Sequence, residues 1–163
     1  MSVRSAEPSA AALSRPTPSG VDGVAARRYD ELLLIARIAL GAIFVLSGYL
    51  KLTGLAAFSA SLTARGVPAA WLWGPVGAAV EFVGGVLIVL GLGVRYGSLL
   101  MILFVIVATA ISHRFWEFAD PQQFRLQQSQ FFKNLSIIAG FVFLFATGGG
   151  RLTLDSLWLR RRG

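Results

Sequence analysis

The sequence predicts an all-α integral membrane protein, a four-helix bundle running up-down-up-down. Three observations carry the prediction. The 163 residues are 55% hydrophobic and only 14% charged, too apolar for an ordinary soluble domain of this length. Four apolar stretches are long enough to cross a bilayer, and short connections join them. The net charge of +7 resides in arginines at the chain ends and between the stretches, the pattern of membrane topology and not of a nucleic-acid surface.

Residues 1–28 are rich in Ser, Ala, Pro, Gly and Arg and contain no apolar run, which predicts a disordered cytoplasmic tail. They lack the apolar core of a secretory signal, and Arg27-Arg28 does not continue as a twin-arginine signal. Asp30 and Glu31 suit a helix N-terminus, where carboxylates meet the dipole. Residues 29–158 form the predicted four-helix membrane domain, and 159–163 a short basic cytoplasmic tail.

The first span is expected over about 32–52, and it contains R-I-A-L-G-A-I-F-V-L-S-G-Y-L-K, Arg37 to Lys51. At 3.6 residues per turn Arg37, Gly41, Phe44, Gly48 and Lys51 share one face, the two charges about 21 Å apart. Ser47 flanks this stripe, which reads as a helix–helix contact that keeps polar groups from lipid. Residues 55–66 are too short to cross and predict a helix lying at the interface, broken by Val67-Pro68. Trp71 and Trp73 read as interfacial anchors. The second span is expected over 75–94, with Pro75 at its first helical position.

The third span is expected over 97–113, ending in His113-Arg114-Phe115-Trp116. A polar loop is expected over 117–130. The fourth span is expected over 130–147, opening F-F-K-N-L and stopping at Gly148-Gly149-Gly150. Arg4, Arg15, Arg27, Arg28, Arg95, Arg151 and Arg160 to Arg162 lie on one side of this arrangement, and Arg65, Arg114, Arg125, Lys51 and Lys133 on the other. The bias places both termini in the cytoplasm, as a multi-pass protein of a bacterial inner membrane.

Absences narrow the chemistry. With no cysteine there is no thiol nucleophile, CxxC pair or iron–sulfur cluster, and His113 alone cannot supply two-histidine haem ligation. The stretch G-L-G-V-R-Y-G at 91–97 has the wrong spacing for a dinucleotide fingerprint. No covalently bound cofactor, metal site or nucleic-acid partner is expected, and no residue is assigned a catalytic role.

On the predicted topology each helix brings a polar group to the outer half of the bundle. These groups, Ser47, Lys51, Glu81, His113, Lys133 and Asn134, form the candidate ligand or ion-pair pocket. Glu81 is the sharpest, since Gly77, Glu81 and Gly85 recur every fourth residue with Gly84 beside them. A lone carboxylate there would take a proton, whereas Lys51 or Lys133 would keep it charged. A structural ion pair fixing helix register and a ligand or proton site are both open for it. Arg37, in the inner half, is expected to snorkel to phospholipid headgroups. His113 beside Trp116 reads as an interfacial anchor. Phe131 and Phe132 read as packing or lipid-facing residues, with a stacking slot for a quinone ring as the alternative.

These motifs resemble the DoxX family of small four-helix bacterial membrane proteins. The matching elements are R-x3-G-x2-F-x2-S-G-x2-K at 37–51, E-x2-G-G at 81–85, H-R-F-W at 113–116 and F-F-K-N-L at 131–135. G-G-G-R-L-T-L-D at 148–155 is similar to the family's closing signature, with Thr153 where serine is usual. The resemblance covers about 35–158. It implies a membrane protein that supports a redox or oxidative-stress process, since the family takes its name from subunits associated with thiosulfate:quinone oxidoreduction. A quinone in the outer-half pocket is the ligand this implies. A non-enzymatic scaffold or assembly subunit, docking a protein partner or a second copy, and a small proton-coupled transporter are the alternatives.

Overall fold

The computed structural model of the chain describes residues 23–24 and 28–160. Most of the expected tail over 1–28, and residues 161–163 of the basic tail, lie outside the described residues. Four long helices form the bundle: α1 (Tyr29–Thr53), α3 (Ala70–Leu90), α4 (Val94–Ser112) and α5 (Pro121–Thr147). The short α2 (Leu55–Ala64) connects α1 to α3, a 3-10 turn (Phe115–Glu117) follows α4, and α6 (Leu154–Arg160) closes the chain. No strand occurs among the described residues. The protein is an all-α, multi-pass membrane bundle.

Pairing in the bundle follows the small residues. Helix α1 packs most extensively on α3, α3 also packs on α4, and α4 on α5. The buried residues of α1 are Leu33, Arg37, Gly41, Phe44 and Gly48, so the stripe expected to meet other helices is the face that does. A side-chain carbon on Gly48 would lie 2.5 Å from the backbone nitrogen of Phe82. One on Gly85 would lie 2.8 Å from that of Val45 and 3.0 Å from the carbonyl oxygen of Gly41. The two backbones therefore touch, which only glycine permits. Gly84, beside Gly85, faces Met101 on α4, so adjacent glycines serve two different neighbours. The core of the bundle comprises Phe44, Ile88, Val94, Met101, Val105, Phe141 and Leu144, with Phe44 and Phe141 ring centroids 5.5 Å apart. Leucine, isoleucine and valine side chains cover much of the outside, as a lipid-facing surface requires.

Two helix starts differ from the expectation. Helix α3 begins at Ala70, and Pro75 sits inside it. The reason is the left-handed conformation of Ala69 (φ 49°), which turns the chain abruptly so that the helix begins before the proline. Pro75 then lies past the four N–H groups that lack an intrahelical partner, and its missing N–H removes one backbone bond from the helix. Helix α5 begins at Pro121, with the expected loop over 117–130 largely helical. The Asp120 carboxylate accepts a hydrogen bond from the Gln123 N–H at 2.8 Å and Pro121 occupies the first helical position, so Asp-Pro starts the helix. Its 27 residues span about 40 Å, longer than a hydrocarbon core of about 30 Å, so the glutamine-rich first turns extend past the apolar layer. The second and third spans also exchange residues at their junction, α3 ending at Leu90 and α4 starting at Val94.

The contrast between Gly85 and Gly77 is testable, because a carbon on Gly77 would meet nothing within 4 Å. Gly85→Leu is expected to lower membrane accumulation and thermal stability sharply by separating α1 from α3. Gly77→Ala is expected to be neutral or to stabilise by up to about 1 kcal/mol through helix propensity. Thermal unfolding of both variants in detergent checks this, and equal stabilities would mean that α1 and α3 do not touch there.

Candidate functional site

The α1–α3 contact sets the height of two charges. Lys51 comes one helical turn after Gly48, and Glu81 one turn before Gly85, so the antiparallel pair brings them together. The Lys51 Nζ donates to Glu81 Oε2 at 2.5 Å. The Glu81 side chain is 5% exposed and that of Lys51 32%. Lys51 also lies 5.1 Å from the ring centroid of Phe58 on α2, so the ammonium has a carboxylate and an aromatic face as neighbours. Of the two cations that sequence left open as partners for Glu81, Lys51 takes the role. Lys133 donates to the Gln130 side chain instead.

A cavity of about 160 Å³ opens beside this pair. Ser47, Lys51, Glu81, His113, Lys133 and Asn134 all line it, together with apolar side chains including Phe44, Phe104, Val105 and Ile137. The structure thus brings all six expected pocket residues to one place. His113 ends α4, and its Nδ1 is 2.8 Å from Gln127 Oε1, so the ring donates when the proton is on Nδ1. The Asn134 side-chain amide donates to Thr109 Oγ1 at 2.8 Å, and that hydroxyl donates to the Val105 carbonyl at 2.6 Å. A chain of hydrogen bonds so links α5 to α4 beside the cavity. Among the described residues no group of three or more His, Cys, Asp or Glu side chains forms a metal-binding set.

Gln127 and Thr109 went unnoticed in the sequence. Gln127 fell in the presumed loop; once α5 starts at Pro121, Gln127, Gln130 and Asn134 follow one another at helical spacing on one face. An aromatic cluster at the same end was also missed. Phe115 contacts Trp116, Phe124 and Phe131, with centroids 5.1–5.4 Å apart and steep interplanar angles. Phe131 therefore packs edge-to-face under the 3-10 turn, whereas Phe132 is largely exposed.

Arg37 is not where a snorkelling side chain would be. It is fully buried, and its Nη2 donates to the Leu152 carbonyl at 2.5 Å. Gly91, the left-handed residue that ends α3 (φ 74°), has no side chain because the Arg37 guanidinium occupies that space. The segment 148–153 folds back over the bundle end and covers the arginine. Arg151 N–H donates to Asp30 Oδ1 and Gly93 N–H to Asp155 Oδ2, both at 2.7 Å. Arg37 Nε and Nη1 have no hydrogen-bond partner among the described residues, and the neighbouring C-terminus of α3 supplies the negative end of a helix dipole. The expected phospholipid contact at Arg37 gives way to an internal one, because the closing glycine-rich segment reaches the guanidinium before a headgroup can.

These features define a small multi-pass membrane protein with a polar pocket at one end and a buried arginine at the other. The chain belongs to the DoxX family, whose profile matches residues 32–114. The SURF4 family profile also matches, over residues 75–159. Inner membrane protein YphA of Escherichia coli (strain K12) is 32% identical over 124 residues, 76% of this chain and 88% of that protein. Inner membrane protein YqjF of the same strain is 33% identical over 128 residues, 78% of this chain and 92% of that protein. No solved structure matches significantly.

The ion pair makes a thermodynamic prediction. Glu81→Gln leaves Lys51 without its anion and is expected to destabilise the bundle by about 2 kcal/mol, less than a fully buried pair would lose because Lys51 is partly exposed. Lys51→Met combined with Glu81→Gln should recover much of that loss, while Lys133→Met combined with Glu81→Gln should not. Unfolding of the four proteins in detergent checks the assignment; recovery by Lys133→Met would reverse it.

Proposed function

We propose that this protein resides in a bacterial inner membrane and binds the head of a quinone in the pocket between Lys51–Glu81 and Lys133–Asn134, in support of a redox or oxidative-stress process. The observation that carries the reading is the convergence of N–H donors from α1 and α5, Lys51, Lys133 and Asn134, on one small cavity with apolar walls. A quinone ring is flat and apolar with carbonyl oxygens that only accept, so it calls for donors set in an apolar slot. The Lys133 ammonium and the Asn134 amide, each with a hydrogen left over from its internal bond, are the donors that would hold it, with Phe104 and Ile137 as walls. The quinone would supply the electron chemistry. With no cysteine and one histidine, the chain's own contribution is to bind, orient and shield, and a partner protein would provide or take the electrons. The inner-membrane assignment is supported by the names of YphA and YqjF. The arginine bias supports termini in the cytoplasm, with the pocket in the outer half.

The purified protein in detergent is expected to quench its tryptophan fluorescence on titration with a short-chain ubiquinone. Lys133→Met should weaken the binding about tenfold at unchanged thermal stability for the free protein, and Asn134→Leu should weaken it similarly while also losing the hydrogen bond to Thr109 that ties α5 to α4. Absence of saturable binding, or binding indifferent to both substitutions, would remove the quinone reading. Orientation is checked on the same cysteine-free background: Gln122→Cys should react with an impermeant thiol reagent on intact spheroplasts, and Ser14→Cys only after lysis. The reverse pattern would invert the bundle.

A further inference from the structure

His113 differs from the lysines and Asn134 of the pocket, because its neutral ring meets a ligand as an acceptor. It follows the last residue of α4, is half-buried and lines the cavity of about 160 Å³. Its Nδ1 lies 2.8 Å from Gln127 Oε1 on α5. An amide oxygen only accepts, so the hydrogen of the neutral ring is on Nδ1 and Nε2 carries a lone pair. Gln127 does not line the cavity, so the bonded edge of the ring turns away from it and the opposite edge is left for a ligand. The Glu81 carboxylate is the other strong acceptor there, and Lys51 already engages it at 2.5 Å. A space of this size admits one six-membered ring.

Resting on the quinone reading above, we propose that His113 makes the pocket selective for the reduced, hydroquinone form of its ligand. A quinone oxygen has no hydrogen to give, so a bare Nε2 sets lone pair against lone pair. A hydroquinone hydroxyl donates to Nε2 and still accepts from the Lys133 ammonium or the Asn134 amide. His113 is then a specificity residue. Gln127, which fixes the tautomer without touching the ligand, is a positioning residue. One hydrogen bond gained and one repulsion avoided amount to about tenfold in affinity. A tenfold tighter hold on the reduced form raises the two-electron potential of the bound couple by about 30 mV. The pocket therefore favours delivery of two electrons from the partner protein, and two protons from water, to the quinone.

Isothermal titration calorimetry of the purified full chain in detergent tests this, with the tail-less ring of ubiquinone and with its hydroquinone kept reduced under argon. The wild type is expected to bind the hydroquinone about tenfold more tightly. His113→Phe keeps a flat ring without an acceptor, and should bring the two affinities together by weakening the hydroquinone alone. Gln127→Leu lets the ring turn an N–H to the ligand, and should cut the preference to about threefold or less without altering the cavity wall. Melting temperatures equal to wild type show that the variants are folded; if His113→Phe fails that check, the affinity ratio of Gln127→Leu decides. Equal affinity of the wild type for both forms, or a preference unchanged in the deciding variant, would overturn the selectivity and leave the quinone reading standing. Saturable binding of neither form would overturn both.

Discussion

A carboxylate within an apolar layer must either take a proton or find a cation, and the arrangement of this protein follows from how Glu81 meets that demand. Its cation, Lys51, is supplied by the neighbouring helix. The pair forms only if α1 and α3 approach closely enough for a lysine and a glutamate to meet at the right height. Gly41, Gly48 and Gly85 permit that approach. The close contact, in turn, needs something to fix its register, since small smooth surfaces slide. An ion pair at one end does so, because a shift of one turn would strand both charges.

The same register positions the far end. One face of α1 carries Arg37 and Lys51, so fixing Lys51 on Glu81 fixes Arg37 under the C-terminus of α3. There the guanidinium is too deep for solvent, and residues 148–153 close over it with the Leu152 carbonyl. The two ends of one helix stripe thus have different surroundings. The Lys51 end opens onto a polar cavity, and the Arg37 end is sealed.

Much of this was legible in the sequence. Four apolar spans and the recurrence of Arg37, Gly41, Phe44, Gly48 and Lys51 announced both the bundle and the buried face of α1. Antiparallel spans of these lengths and this order bring the polar residues of the pocket to one end of the bundle. Helix starts were harder. Asp120-Pro121 is a helix-start signal that a run of glutamines disguised as a loop, and this hid Gln127 as the partner of His113. Pro75 resembled a first helical residue, and nothing in the sequence revealed that Ala69 adopts a left-handed turn before it. The position of Arg37 was not legible either. Its fate depends on residues 115 positions away in the chain, and a charged side chain near a span end looks the same whether it snorkels outward or is capped from within.

The claim on which the account rests is that Glu81 is ionised and matched by Lys51 inside the bundle. Infrared difference spectroscopy of the wild type against Glu81→Gln, in lipid nanodiscs at neutral pH, measures this directly. The account predicts that the substitution removes a pair of carboxylate stretching bands and leaves the protonated-carboxyl region unchanged. Loss of a protonated-carboxyl band instead would mean that Glu81 is neutral, that Lys51 is not its counter-charge, and that the α1–α3 register is set by packing alone.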